Sequence, residues 1–289
     1  MKAKTRQTVG FWLLFSLPLA WVVIFLILPY GAMGMMSFWS RKFPLFVADF
    51  QFGNYLQLFI DPQYSAVILR TLKIASLVTV YSVAFGYPLA YFLVFTIRSE
   101  KLRTLLYMCV VVPLWVSYLL RAYTWKIILG TDGALNSALL WLGVIKEPLD
   151  IFLYNQAAMV ITLTYIFIPF MVMPIFTALE RIPPALIEAS QDLGAGPFET
   201  FLRVILPLST AGIVAGATMT FCLSFGDFVA PVLVGGPSGT MVATVLQSQF
   251  GAALNWPLGS ALAVVIFTLV LVVLQVSNRL DRAGRVSMG

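Results

Sequence analysis

The stretch Glu180-Arg181-Ile182-Pro183-Pro184-Ala185-Leu186-Ile187-Glu188-Ala189-Ser190-Gln191-Asp192-Leu193-Gly194-Ala195-Gly196-Pro197-Phe198-Glu199-Thr200-Phe201-Leu202-Arg203-Val204-Ile205-Leu206-Pro207 stands between two long charge-free runs. It reads as two short helices. Pro184 suits the first position of a helix, where its missing N–H costs nothing. Gly194 suits the left-handed position just past a helix end. Pro197 opens a second helix and Pro207 closes it. Leu186, Ile187, Ser190 and Leu193 recur at helical spacing, as do Phe198, Phe201, Leu202 and Ile205. The expected object is a compact helical elbow. Its surface is apolar and carries few charges, which suits docking into a partner's groove.

The rest of the chain explains why such an elbow needs a membrane beside it. Of 289 residues, 60% are apolar and only 10% charged. Soluble domains run near 45–50% apolar and about 25% charged. Mean hydropathy is +0.93. A soluble enzyme and a disordered chain are both excluded by these numbers. Charge-free runs cover 7–40, 74–97, 104–120, 151–179, 204–226 and 228–278. The last is broken at Gly235-Gly236-Pro237-Ser238-Gly239 and at Asn255-Trp256-Pro257. About 20 apolar residues cross a bilayer as a helix. Six spanning helices are therefore expected, at 11–36, 67–97, 104–129, 157–179, 209–233 and 258–278. Lys2, Lys4 and Arg6 ahead of the first run resemble a signal peptide, but the run exceeds a 7–15 residue core, so it reads as a retained helix.

The net charge of +6 is explained by topology and not by nucleic acid, because the cations are few and scattered. With the N-terminus inside, eleven Lys and Arg fall in inner segments and three in outer loops. Four more, Arg70, Lys73, Arg121 and Lys126, sit at outer helix ends; counting them as outside leaves eleven against seven. Both termini are then cytoplasmic. The outer four either dock an extracytoplasmic protein or snorkel to the interface. No repeat relates the halves, and a single membrane domain is expected. Its parts are an N-terminal helix and outer loop (1–64), a core (65–279, elbow at 180–207) and a tail (280–289).

Catalytic chemistry finds little support. The chain has no histidine, so His-based relays, triads and His-ligated metals are absent from it. Cys109 and Cys222 lie in apolar runs without metal or redox spacing and read as small core hydrophobes. No phosphate-binding loop occurs, so any ATP and magnesium are bound by another subunit. No cofactor is expected on this chain.

The elbow resembles the EAA loop of ABC-importer permeases. That pattern is Glu-Ala-Ala, three residues, Gly, nine residues, an aliphatic residue, one residue, then Leu-Pro. Here it is met by Glu188-Ala189-Ser190, Gly194, Val204 and Leu206-Pro207, with Ser190 for the second Ala as the one departure. The resemblance implies an all-α, type I importer permease fold whose loop inserts into the cytoplasmic ATPase. Glu188, Ala189, Ser190, Asp192, Gly194, Leu206 and Pro207 would carry that coupling. It also implies a second homologous permease subunit, two ATP-binding cassette subunits, an extracytoplasmic solute-binding protein and the bacterial inner membrane. Further segments are similar to spermidine/putrescine permeases: Leu120-Arg121-Ala122-Tyr123-Thr124-Trp125, Asp132-Gly133-Ala134-Leu135-Asn136, Ile168-Pro169-Phe170 and Gly226-Asp227-Phe228-Val229-Ala230-Pro231. Related permeases carry opines, 4-aminobutyrate or aminophosphonates, so those solutes stay open.

One physical hint concerns the solute. Asp227 is the only acid deep in an expected span. Charge at that depth is costly and faces either a pathway or a partner. With Phe225 and Phe228 beside it, it suits a cationic amine. Tyr123, Trp125 and Tyr165 are candidates to line the same route. Asp227 as a helix cap, or paired with Arg121 or Lys126, is the alternative. For the aromatic residues the alternative is belt anchoring or core packing. A lone secondary transporter or channel would leave the elbow unexplained. An embedded enzyme would need paired acids or a metal cluster.

Overall fold

The computed structural model describes residues 15–42 and 45–286, apart from the side chains of 278 and 280–286. Lys2, Lys4, Arg6 and the start of the first expected helix (11–14) lie outside the described residues. So do the side chains of Arg282 and Arg285.

Helix α1 (Phe15–Met36) leads to a two-stranded antiparallel hairpin, β1 (Ser40–Lys42) and β2 (Leu45–Val47). Helices α2 (Gly53–Ile60) and α3 (Pro62–Thr96) follow. Next come α4 (Glu100–Trp115), α5 (Tyr118–Leu129), α6 (Ala134–Trp141) and α7 (Gln156–Glu180). The elbow helix α8 (Pro184–Asp192) precedes α9 (Pro197–Phe225), α10 (Val242–Phe250) and α11 (Trp256–Val286). Five of these helices are long and apolar enough to span a membrane, or six if the bent pair formed by Glu100–Trp115 and Tyr118–Trp141 counts as one span. No residue in the most apolar stretch of α1 is buried within the chain. Such a helix requires hydrocarbon around it.

The contacts divide the chain into two units, Met1–Ser65 with Leu246–Leu269, and Ala66–Val245 with Val270–Gly289. In the first, Tyr30 stacks on Phe267 at 5.7 Å and Phe46 on Trp256 at 6.0 Å. The second unit is built on α7. One apolar cluster gathers Ile74, Val78, Leu163, Ile166, Val234 and Met241; the other gathers Tyr87, Leu93, Met171, Ile175, Leu179 and Ile205. Along the second, α9 presses its backbone onto α7. A methyl group added at Gly212 would stand 2.7 Å from the Pro174 carbonyl oxygen and 2.6 Å from the Ala178 Cβ. At Gly216 it would meet the Met171 sulfur at 2.8 Å. Helices with no water to expel between them associate by this kind of small-residue approach.

Three expectations about helix ends change. The helix expected at 104–129 is broken at Val116 and Ser117, where the axis turns by 97°. Pro113 had removed one ladder bond just before. The helix expected at 209–233 ends at Phe225, and a separate turn, Pro231–Gly235, follows. Pro207 does not close a helix; it lies inside α9. The ladder there widens to a π-turn over Phe201–Ile205, with the Leu206 N–H reaching the Phe201 carbonyl. The proline's missing donor falls within this loosened ladder.

Candidate functional site

Two places concentrate polar structure on this apolar scaffold. The first is the elbow. Pro184 opens α8, and the helix closes by a double bond pattern: the Ala195 N–H donates to the Ser190 carbonyl at 3.1 Å and the Gly194 N–H to the Gln191 carbonyl at 2.8 Å. Gly194 sits at φ +87°, where a side chain is strained. The helical repeat splits into two faces. Ile187 packs on the Met171–Ile205 cluster, while Leu186 and Leu193 face outward, Leu193 at 89% exposure. Phe198 is 73% exposed on the start of α9. Glu188, Ala189, Asp192 and Gly194 are all exposed. Ser190 is half-buried, and its hydroxyl meets the Thr200 hydroxyl at 3.0 Å. That bond ties α8 to α9. Leu206 and Pro207 are half-buried in the stem of α9 and do not belong to the exposed tip. At the base, Arg103 pairs with Glu180 at 3.7 Å and Arg203 with Glu199 at 2.9 Å.

The second place lies where two helices stop inside the apolar region. Asp227 follows the end of α9 and is 8% exposed. Its Oδ1 accepts the Ala230 N–H at 2.8 Å, which caps the turn after the break. Its Oδ2 accepts the hydroxyl of Tyr118, the first residue of α5 after the Val116–Ser117 break. The Tyr118 ring stacks on Phe167 at 6.2 Å, and the Arg121 guanidinium stands 6.0 Å from that ring. Arg121, itself 8% exposed, donates to the Ile166 carbonyl at 3.1 Å. Among the described residues no ion pair joins Asp227 to Arg121 or Lys126 within 4.0 Å. The capping geometry is therefore present and the ion pair is not. Two bonds to its carboxylate oxygens, from Tyr118 and Ala230, orient Asp227.

The aromatic candidates separate. Phe225 is 1% exposed and stacks on Phe221 at 5.7 Å, inside the packing. Trp125 and Tyr165 meet edge-on at 5.5 Å and line a groove of about 750 Å³ with Lys73, Leu77, Tyr81 and Gln156. Tyr165 also borders a cavity of about 420 Å³ lined by Cys109, Pro113, Val116 and Arg121. Neither hollow is lined by Asp227 or Phe225. Tyr123 is 43% exposed, and the Lys126 ammonium lies 5.9 Å from its ring and 5.9 Å from that of Tyr154. The structure thus brings Trp125 and Tyr165 together and leaves Asp227 with Tyr118. Sequence reasoning missed Tyr118, although a tyrosine placed in an apolar region just after a helix break needs a partner for its hydroxyl. It also missed Thr200, which carries no mark in the sequence.

Residues 82–277 match the family model described as the binding-protein-dependent transport system inner membrane component. The chain is 39% identical, over 85% of its own length and 85% of the relative's, to the spermidine/putrescine transport system permease protein PotB of Salmonella typhimurium. To the PotB of Haemophilus influenzae it is 36% identical, over 91% of each chain. Its fold matches a chain of a bacterial ABC transporter involved in the import of alginate, with a TM-score of 0.74 at 20% identity, covering 97% of this chain and 99% of that one. The chain belongs to the binding-protein-dependent inner-membrane transport components, as a multi-pass permease subunit of an ABC importer.

Proposed function

We propose that this permease carries a polyamine of the putrescine or spermidine type. The observation that carries the reading is the identity to spermidine/putrescine permeases across most of the chain. In this reading the bent pair α4–α5 is one span, which makes six, with both termini cytoplasmic by the Lys and Arg balance. The layout is an N-terminal helix and outer loop (1–64), a transport core (65–279) and a tail (280–289). A second homologous permease subunit completes the pathway, and an extracytoplasmic binding protein delivers the solute. Two ATPase subunits bind and hydrolyse ATP with magnesium, and this chain performs no chemistry.

The elbow is the coupling element. Its exposed Leu186, Leu193 and Phe198 supply an apolar tip, and Glu188 and Asp192 an acidic shoulder, for a cleft in the ATPase. The elbow's tie to α9 supports motion of the two as one body. ATP binding favours one of two membrane conformations only if the ATPase grips the elbow differently in each. Asp227 is the acid available to a cationic amine at the membrane break, and Tyr118 positions its carboxylate.

The test is ATPase activity of the reconstituted complex with its binding protein, across putrescine, spermidine, 4-aminobutyrate and an aminophosphonate. Polyamines are expected to stimulate. Glu188→Lys is expected to abolish stimulation. Asp227→Asn and Tyr118→Phe are expected to raise the polyamine concentration needed, about tenfold for a lost charge-assisted bond. Stimulation by 4-aminobutyrate or the phosphonate alone would keep the permease and sink the polyamine. Failure of any ATPase to assemble with this chain would sink the coupling role of the elbow.

A further inference from the structure

Lys126 stands in the last turn of α5 and is half-buried. Its ammonium lies over two aromatic rings, 5.9 Å from the centre of Tyr123 and 5.9 Å from that of Tyr154. Tyr123 precedes it by one turn on the same helix, so that contact follows from helical spacing. Tyr154 belongs to the loop ahead of α7 and is brought there by the fold. Both tyrosines are exposed. Among the described residues the ammonium is met by rings and by no acid within 4.0 Å.

Tyr154 is held in place at a cost. Its φ of +60° lies in the left-handed region, which strains a residue with a side chain. The neighbours keep it there. Asn155 accepts the Ala158 N–H through its side chain at 2.9 Å and donates to the Ile151 carbonyl at 2.6 Å. Gln156 donates to the Ser238 carbonyl at 3.3 Å. Gly236, itself at φ +60°, packs so closely that an added Cβ would stand 2.6 Å from the Tyr154 carbonyl oxygen. Backbone strain persists only where the surroundings over-determine it, and it gathers at binding sites. Here the strained residue is the one that carries its ring to a cation.

A ring face attracts a cation through its quadrupole, whatever the cation is attached to. The lysine side chain is a flexible four-carbon stem ending in an ammonium. Putrescine presents the same alkylammonium at each end. Both rings are open to solvent, so one ammonium can replace the other without any change of the backbone. We propose that Tyr123 and Tyr154 form a site for the ammonium end of an alkyl amine, and that Lys126 fills it until the solute displaces it. In the orientation proposed above this site lies at the extracytoplasmic mouth. The aromatic site rests on the geometry of the loop; that its ligand is the transported solute rests on the polyamine reading.

The experiment uses the whole complex, its lysines reductively methylated with isotope-labelled formaldehyde, which keeps their charge. Lys126→Arg identifies the Lys126 methyl signal by NMR. That signal is expected upfield, under the ring currents of the two tyrosines, and putrescine is expected to return it to the position of the exposed Lys146. A Lys126 signal at the Lys146 position without amine, or an upfield signal that putrescine leaves in place, would overturn the proposal. The second readout is the stimulation of ATPase activity. Lys126→Gln removes the resident competitor and should lower the half-stimulating putrescine concentration about three- to tenfold, and Tyr154→Leu in that background should cancel the gain. A lysine that serves only the fold would leave that concentration unchanged or raise it in Lys126→Gln, which would overturn the site. An equal gain from Lys146→Gln would make the effect one of net charge and overturn it too. Putrescine that moves the signal without ever stimulating ATPase activity would keep the site and sink the transport reading. Putrescine that stimulates but leaves the signal in place would sink the site alone.

Discussion

Helix α9 begins in one kind of environment and passes into its opposite. At the elbow its first turn is open, with Phe198 73% exposed and the neighbouring Leu193 89% exposed. Three to five turns later Gly212 and Gly216 lie against the backbone of α7 with no room for a methyl group. At the open end these two apolar side chains are left uncovered within the chain. The closed seam is already saturated. One continuous helix from Pro197 to Phe225 therefore joins a surface without a partner to a packed interior, and it ends two residues before Asp227. At 1.5 Å per residue it is about 43 Å long. In the coupling role proposed above this helix is a lever with a rigid shaft and a gripped handle, and the two regions should respond to substitution in opposite ways.

The seam should break hardest. Gly212→Leu forces a side chain against the Pro174 carbonyl and the Ala178 methyl, neither of which is the free end of a flexible group. Overpacking of this kind costs about 1–3 kcal/mol, and more where backbone must move. The expected result is little folded permease in the membrane and a collapsed melting temperature in detergent, with no selective effect on coupling. Normal levels and normal stability would show that α7 and α9 separate easily, and the lever picture would fail.

At the elbow the corresponding substitution is Gly194→Val. Nothing lies within 4 Å of the added Cβ, so packing is not at stake. The cost is the left-handed backbone at φ +87°, about 1–2 kcal/mol for a residue with a side chain. The expected phenotype is a normal amount of stable permease with solute-stimulated ATPase activity reduced several-fold. Loss of the folded protein here would mean that the elbow helps hold the core together and is no separate handle.

The two regions also differ in how far the sequence discloses them. The elbow is punctuated by Pro184, Gly194 and Pro197, whose effects are local, and the structure has helix ends at all three. Pro207 misled because its effect depends on whether the ladder around it can widen, which the neighbours decide. The seam carries a faint mark, two glycines four apart in an apolar helix, but not the identity of the facing residues. The Tyr118–Asp227 bond joins residues 109 positions apart across two helix breaks, and no local pattern encodes such a pairing.

The smallest effect is the most informative about the handle. Ser190 stands where the family pattern has alanine, and its hydroxyl meets that of Thr200, a residue 2% exposed. Removing it as Ser190→Ala leaves a buried hydroxyl without that partner, which taken alone would cost about 1–3 kcal/mol. Thr200 has an escape, however. The Gly196 carbonyl, which already accepts the Thr200 N–H at 2.9 Å, lies one turn back, where a threonine hydroxyl can reach it. The net loss should therefore fall to about 0.5–1 kcal/mol, a rate change of only a few-fold. Thr200→Val removes the other half and leaves the Ser190 hydroxyl, which is only half-buried, to turn to water. If the bond is what joins α8 to α9, the double variant should be no worse than Thr200→Val alone in the stimulation of ATPase activity by solute. If the two losses simply add, each hydroxyl serves its own helix, and the elbow transmits its motion through Ile187 and the apolar contacts beneath it.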